Sequence, residues 1–154
     1  MKVIWAILCQ SSAVDRDTNV VSLFNIVEEL VLPAPPPTQP PAPRERPEPQ
    51  PRQFVIPFFQ VVILWARSDP AIPELNKGRV RVLLPGDLES TSQEVEVDLT
   101  QNPRARHRIN LAGLPVSRDE GVYRFVVDTM TQDSGWTQAF ELPLQVTFQR
   151  QDPG

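Results

Sequence analysis

Apolar and polar residues alternate at period two along most of this chain, and β-branched and aromatic side chains dominate the apolar positions. Arg79 to Leu84 places Val80, Val82 and Leu84 on one face, while Gln93 to Leu99 sets Val95, Val97 and Leu99 against Glu94, Glu96 and Asp98. Residues 2–9 and Phe54 to Ala66 are apolar on both faces, as expected of central strands covered from two sides. Pro57 has no N–H for a ladder and predicts a bulge or an edge position. Ser11 to Asn19 supplies turn chemistry, after which Val20 to Leu32 reads as one long second strand. Arg106 to Leu114, Gly121 to Thr129 and Trp136 to Phe148 follow, the last interrupted by Pro143. No run carries the i, i+3, i+4 spacing of an amphipathic helix over three turns. About eight strands separated by turns such as Pro85-Gly86-Asp87 and Gln132-Asp133-Ser134-Gly135 predict an all-β antiparallel sandwich, immunoglobulin/fibronectin-like, with Greek-key connections.

The same alternation suggests one strand pairing. Glu94, Glu96 and Asp98 share a face, and so do Arg104, Arg106 and Arg108 beyond the link Thr100-Gln101-Asn102-Pro103. A hairpin centred on Gln101 would set Asp98 against Arg104, Glu96 against Arg106 and Glu94 against Arg108. Exposed cross-strand pairs of this kind contribute only ~0.2–1 kcal/mol each, so their value would lie in register.

Ten of the 18 prolines fall between Pro33 and Pro51, a segment without an apolar anchor. Residues 33–52 therefore read as a disordered, proline-rich insertion in a single domain spanning 1–150, with 151–154 a disordered tail. Pro37-Thr38-Gln39-Pro40 and Pro40-Pro41-Ala42-Pro43 satisfy P-x-x-P, a docking pattern that is nearly unavoidable in a stretch half proline.

Charge narrows the partners. The chain carries 15 basic and 19 acidic residues; removing residues 33–52 takes out three Arg and two Glu, leaving 12 against 17, or −5. A nucleic-acid binder shows the opposite sign, with basic residues gathered on one face. Cys9 is the only cysteine, so no intrachain disulfide forms. The apolar run Val3 to Cys9 sits at the short limit of a signal-peptide core, and Leu8 does not fit a lipoprotein site. No segment approaches the 18 or so apolar residues of a membrane helix. The expectation is a cytoplasmic protein.

Ala6-Ile7-Leu8-Cys9, a short Asp-containing turn and Val21-Ser22-Leu23-Phe24-Asn25-Ile26 resemble the opening of a family of small uncharacterised bacterial proteins. In that family a first strand ends in a cysteine or small residue and a "vSLigif" strand follows. Ile56-Pro57-Phe58 looks like its proline-phenylalanine lead-in to the third strand, and Gly121-Val122-Tyr123-Arg124-Phe125 like its closing Gly-x-Tyr-x-Phe strand. The resemblance spans the chain apart from residues 33–52. It implies a β-sandwich, with no established activity, and it supplies no catalytic residues.

Candidate chemistry is sparse. Asp15, Asp17 and Asn19 put oxygen ligands at alternate positions, as calcium loops do, but Val20 stands where such a loop has glycine and Ile26 where it has its bidentate glutamate. A hairpin turn uses the same residues. His107 is the only histidine, so a histidine metal cluster cannot form; by alternation it faces inward with Ile109 and Leu111. Cys9 could act as a nucleophile only beside an activating base or a helix N-terminus, and neither is visible. No Gly-x-Ser-x-Gly elbow is present, and Ser11, Ser12 and Ser134 sit in turns. Glu28 and Glu29 are adjacent, so on a strand their carboxylates point to opposite faces. The arginine stripe 104/106/108 lacks the interleaved aromatics that stack bases. Trp5, Trp65 and Trp136 either pack in the core or line a concavity, and Tyr123 is placed to make a tyrosine corner.

The expected function is therefore a non-enzymatic interaction or accessory module that binds a protein partner, or a second copy, through a sheet face, an edge strand or the proline-rich loop. No catalytic, cofactor or metal residues are assigned, and neither nucleic acid nor membrane is an expected partner. A small-molecule or glycan binder using a tryptophan-containing concavity is the alternative, and a hydrolase-type enzyme centred on Cys9 or His107 the second.

Overall fold

The two sheets of this protein are held together by a bend and a crossing that the alternation pattern does not reveal. The structure is a computed structural model that describes residues 1–33, 54–56, 58–111, 114–116, 120–131 and 135–149, and among them there is no helix. Eleven strands run in chain order: β1 (Lys2–Val14), β2 (Val21–Ile26), β3 (Glu29–Pro33), β4 (Phe54–Ile56), β5 (Phe59–Ala66), β6 (Glu74–Leu83), β7 (Glu89–Leu99), β8 (Arg104–Leu111), β9 (Leu114–Val116), β10 (Gly121–Thr131) and β11 (Gly135–Gln149). Nine of them build the sandwich, as a four-stranded sheet β2-β1-β5-β8 and a five-stranded sheet β3-β11-β10-β6-β7, while β4 and β9 form a separate short pair. The order β11-β10-β6-β7 is that of strands G, F, C and C′ in a variable-type immunoglobulin sheet. The expected all-β sandwich is present. Pairing is antiparallel except for β3 and β11, which run parallel.

The expected single strand from Val20 to Leu32 is two strands in different sheets. Asn25 adopts a left-handed backbone with φ 53°, and the Val27 N–H donates to the Leu8 carbonyl in the four-stranded sheet at 3.0 Å. One residue later the Glu28 carbonyl accepts from the Gln145 N–H at 3.0 Å in the five-stranded sheet. Val27, Leu30 and Leu32 all pack against the same core. Alternation reports which side of a strand is dry, and both sheets share one dry side, so the crossing leaves no mark in the pattern. The expected strand from Phe54 to Ala66 is likewise divided, into β4 and β5; Pro57, in the break, lies outside the described residues.

The core sits between β1, β5 and β8 on one side and β6, β7, β10 and β11 on the other. Its largest fully buried side chains are Trp65, Tyr123, Phe59 and Phe125, surrounded by Ile63, Val80, Val82, Val97, Leu99 and Ile109. Gly78 faces Trp65 closely: a Cβ at this position would stand 2.6 Å from Trp65 Cη2. The outer face of the four-stranded sheet is partly covered as well. Beyond Cys9 the β1–β2 hairpin bends back over it, since Ser12 Oγ donates to Gln60 Oε1 at 2.8 Å and the Arg106 guanidinium reaches Asn19 at the hairpin tip. Cys9 and Val62 on that face are consequently fully buried.

The expected β7–β8 hairpin is not formed, and its three Asp/Glu–Arg pairs are absent. β7 is an edge of the five-stranded sheet and pairs with β6; β8 is an edge of the four-stranded sheet and pairs with β5. Residues 100–103 carry the chain across the sandwich instead of turning within a sheet. Asp98, expected to face Arg104, accepts at Oδ1 from the Thr100 N–H at 2.8 Å and from its hydroxyl at 2.6 Å. Those bonds hold its carboxyl below the usual range. Arg67 completes the corner, donating from Nε to the Leu99 carbonyl at 2.7 Å and from Nη2 to the Thr100 carbonyl at 2.9 Å. Two carbonyls that a hairpin would have paired are thereby satisfied by one planar guanidinium.

Candidate interaction surface

The unformed hairpin leaves two strand edges side by side, and backbone geometry says which residues they present. Arg67 N–H donates to the Pro103 carbonyl at 3.1 Å, which makes Arg67 and Pro103 a hydrogen-bonded antiparallel pair. Bonding direction alternates along a strand, so Ala105, His107 and Ile109 bond inward to β5. Arg104, Arg106 and Arg108 direct their backbone N–H and C=O away from the sheet. On the other edge, Leu84 N–H donates to Leu88 O at 2.9 Å, which fixes the phase of β6. Val80, Gly78 and Asn76 then bond to Gln93, Val95 and Val97, and Glu94, Glu96 and Asp98 turn their backbone groups outward.

Side chains follow the same division. Arg104, Arg106 and Arg108 lie on the outer face of the four-stranded sheet, and among the described residues none forms an ion pair. Arg106 Nε is buried without a hydrogen-bond partner, and among the described residues Nη1 makes long contacts to Asn19, 3.4 Å to Oδ1. Glu94 and Glu96 are exposed on the outer face of the five-stranded sheet, also without an ion pair among the described residues. Glu94 stands opposite Arg79 in the ladder. That guanidinium is engaged by Asp128 instead.

Asp128 is the charged group that the sequence reading missed. It is 1 % exposed on the outer face of the five-stranded sheet. Arg79 donates to its Oδ2 from Nε at 2.9 Å, and Arg81 donates to the same oxygen from Nε at 2.7 Å. The hydrogen bond from Arg81 to Asp128 raises the guanidinium pKa further. Arg79 also lies 4.4 Å from the centroid of the Trp136 ring, a cation–π distance. Arg124, on the same face, pairs with Asp87 and reaches Glu141 at 3.5 Å. The available signal was parity: Arg79, Arg81 and Asp128 all fall on the non-core phase of their strands, and Asp128 interrupts the apolar run Phe125-Val126-Val127. This cluster is saturated internally and reads as a staple across β6 and β10.

The other candidate residues are scattered. Asp15 Oδ1 accepts from the Asp17 and Thr18 N–H groups at 2.9 and 2.8 Å, which lowers its pKa, and Asn19 takes φ 55°. Asp15, Asp17 and Asn19 thus form a hairpin turn, and no His/Cys/Asp/Glu group with metal-ligand arrangement occurs among the described residues. Cys9 pairs with Gln60 on the outer face of its sheet, whereas His107 pairs with Ile63 on the core face, so no Cys–His dyad exists. Burial pushes the Cys9 thiol up and the His107 imidazole down, the latter partly offset by the Glu96 backbone bond. Nδ1 of His107 is buried without a partner. Ser12 is committed to Gln60, and Ser134 lies outside the described residues, as do residues 34–53. The tryptophans divide between three places: Trp65 in the core, Trp5 on the outer face of the four-stranded sheet beside Leu64, and Trp136 under Arg79 on the opposite outer face. They line no common concavity. An apolar groove of about 450 Å³ does open at the seam where β2 crosses to β3, lined by Ala6, Leu8, Ile26, Leu142 and Pro143 with Glu28 at its rim. The chain matches no protein-family model, no curated protein and no solved structure.

Proposed function

We propose that this chain is a non-enzymatic interaction module whose working surface is the pair of free strand edges β7 and β8. What supports the reading is a single arrangement: two neighbouring edges carry opposite charge, and the outward backbone groups belong to the very residues that carry it. A partner strand added to either edge would gain main-chain hydrogen bonds from its backbone and selectivity from the stripe of side chains. Among the described residues, neither Cys9 nor His107 has the neighbours a nucleophile or general base requires. The reading is compatible with the resemblance to small bacterial β-sandwich proteins, which brings no established activity, and with an expected cytoplasmic setting.

Affinity capture from the native host tests it. Glu96→Pro removes an N–H that points away from the sheet and leaves the β6–β7 ladder intact. Arg106→Pro does the same on β8. Either substitution is expected to abolish capture of a partner bound by the unaltered protein, while deletion of residues 33–52 leaves capture unchanged. If both edge variants retained every partner and the deletion lost them, the edges would be irrelevant and the proline-rich segment would be the docking element.

A further inference from the structure

The charge pattern that fails to close a hairpin within the chain has a second way to be satisfied, and this inference rests on the edge reading above. We infer that the occupant of the β7 and β8 edges is a second copy of this chain, related by a two-fold axis parallel to the strands. β7 ends and β8 begins at one corner, so the two edges lie on the same side of the sandwich and run in opposite directions. A half-turn about an axis along that side exchanges the layers. It brings β8 of one copy antiparallel beside β7 of the other, and simultaneously β7 beside β8. Each sheet then continues into its partner's opposite sheet, and the contact closes on itself as an isologous dimer rather than extending into a fibre.

The pairing sets Asp98 against the other copy's Arg104, Glu96 against its Arg106 and Glu94 against its Arg108, and two features agree with it. The first is backbone phase, because all six of those positions present outward N–H and C=O groups, so each opposed pair is a hydrogen-bonded one. The second is facing. The acidic stripe lies on the outer face of one sheet and the basic stripe on the outer face of the other, and exchange of layers puts the two on one continuous surface. The stripes also discriminate: β7 against β7 or β8 against β8 would oppose like charges, so only the mixed pairing is permitted.

Sedimentation of the full-length protein over a range of concentrations reads the outcome. A dimer is expected, weakening as salt is raised roughly tenfold because the stripes are exposed. Arg106→Glu places a carboxylate opposite Glu96 and is expected to weaken association by about tenfold or more, whereas Glu96→Arg combined with Arg106→Glu restores it. Arg108→Glu with Glu94→Arg repeats the exchange at exposed positions, so the test survives if Arg106→Glu does not fold. Amide exchange at Glu94, Glu96, Arg106 and Arg108 is expected to slow as concentration rises. A monomer at every concentration, or a dimer indifferent to both exchanges, would overturn the inference. A monomer that still loses a captured host partner on Glu96→Pro would overturn the second-copy occupant alone, leaving the edges as the docking surface.

Discussion

Gly78→Ala is a one-carbon perturbation whose cost can be worked out from the core. The added Cβ would lie 2.6 Å from Trp65 Cη2 and 2.7 Å from Cζ2. Carbon atoms reach their optimum near 3.5–4.0 Å, so the indole must retreat by about 1 Å. Trp65 has little room to do so, being fully buried on β5 in a core where Ile63, Val97 and Leu99 are equally inaccessible. Overpacking of this kind costs about 1–3 kcal/mol. Alanine regains about 0.5–1 kcal/mol of backbone entropy that glycine spends in a strand, which leaves a net loss of roughly 1–2 kcal/mol. For a domain of this size each kcal/mol corresponds to about 2–4 °C in Tm. Thermal and urea unfolding, followed by tryptophan fluorescence, are expected to show Gly78→Ala less stable by that amount. Trp65→Phe is costly by itself but should make the alanine nearly harmless, giving a favourable coupling in the double-mutant cycle. If Gly78→Ala left stability unchanged or raised it, the close approach of β6 to Trp65 would not exist in solution.

Other substitutions probe the charged staples and the single histidine. Asp128→Ala strands two guanidiniums over β6 and is expected to cost about 2–4 kcal/mol in urea unfolding; a loss below the level of a surface substitution would remove the staple from the account. Arg67→Lys retains the charge but cannot fork to the Leu99 and Thr100 carbonyls, so a loss of about 1–2 kcal/mol is expected by the same measurement, and full stability would show that the corner does not need the fork. His107 has a folded pKa below its ordinary value of about 6.5, so the unfolded chain takes up the proton first. Its contribution is complete above that value, declines as pH falls toward the folded pKa, and is level below it. Urea midpoints at about pH 7.5 and 5.5 are expected to fall for the natural protein and to converge in His107→Gln, because ordinary carboxylates titrate below this window. An equal fall in the variant would place the titrating group elsewhere.

Two-residue alternation located nearly every strand because each is dry on one side and the side-chain period of a strand is two. It could not assign strands to sheets. Val27, Leu30 and Leu32 face one core across the step from β2 to β3, and that step is written only in Asn25, whose left-handed backbone asparagine tolerates. The fold-back of the β1–β2 hairpin is equally silent in the pattern. Cys9 and Val62 suit burial, but nothing in the residues says that Ser12 and Asn19 return to bury them.

The candidate surface was half legible for a related reason. Opposed stripes of three acids and three arginines suggested a hairpin register, and the structure does not form that hairpin; what local charge cannot state is which strand, if any, complements a stripe. The link from Thr100 to Pro103 decides that, because Asp98 caps it and Arg67 binds its carbonyls, which commits the corner to crossing the sandwich. The cost of that commitment is two edges left unpaired among the described residues. An edge bearing only like charges would resist every copy of itself, which is how sheets commonly avoid association. Two edges bearing opposite charges, in matching backbone phase and on the same side of one molecule, do not protect in that way. Each removes the repulsion that the other would have offered, so between these two edges the stripes disfavour β7 against β7 and β8 against β8 and leave the mixed pairing.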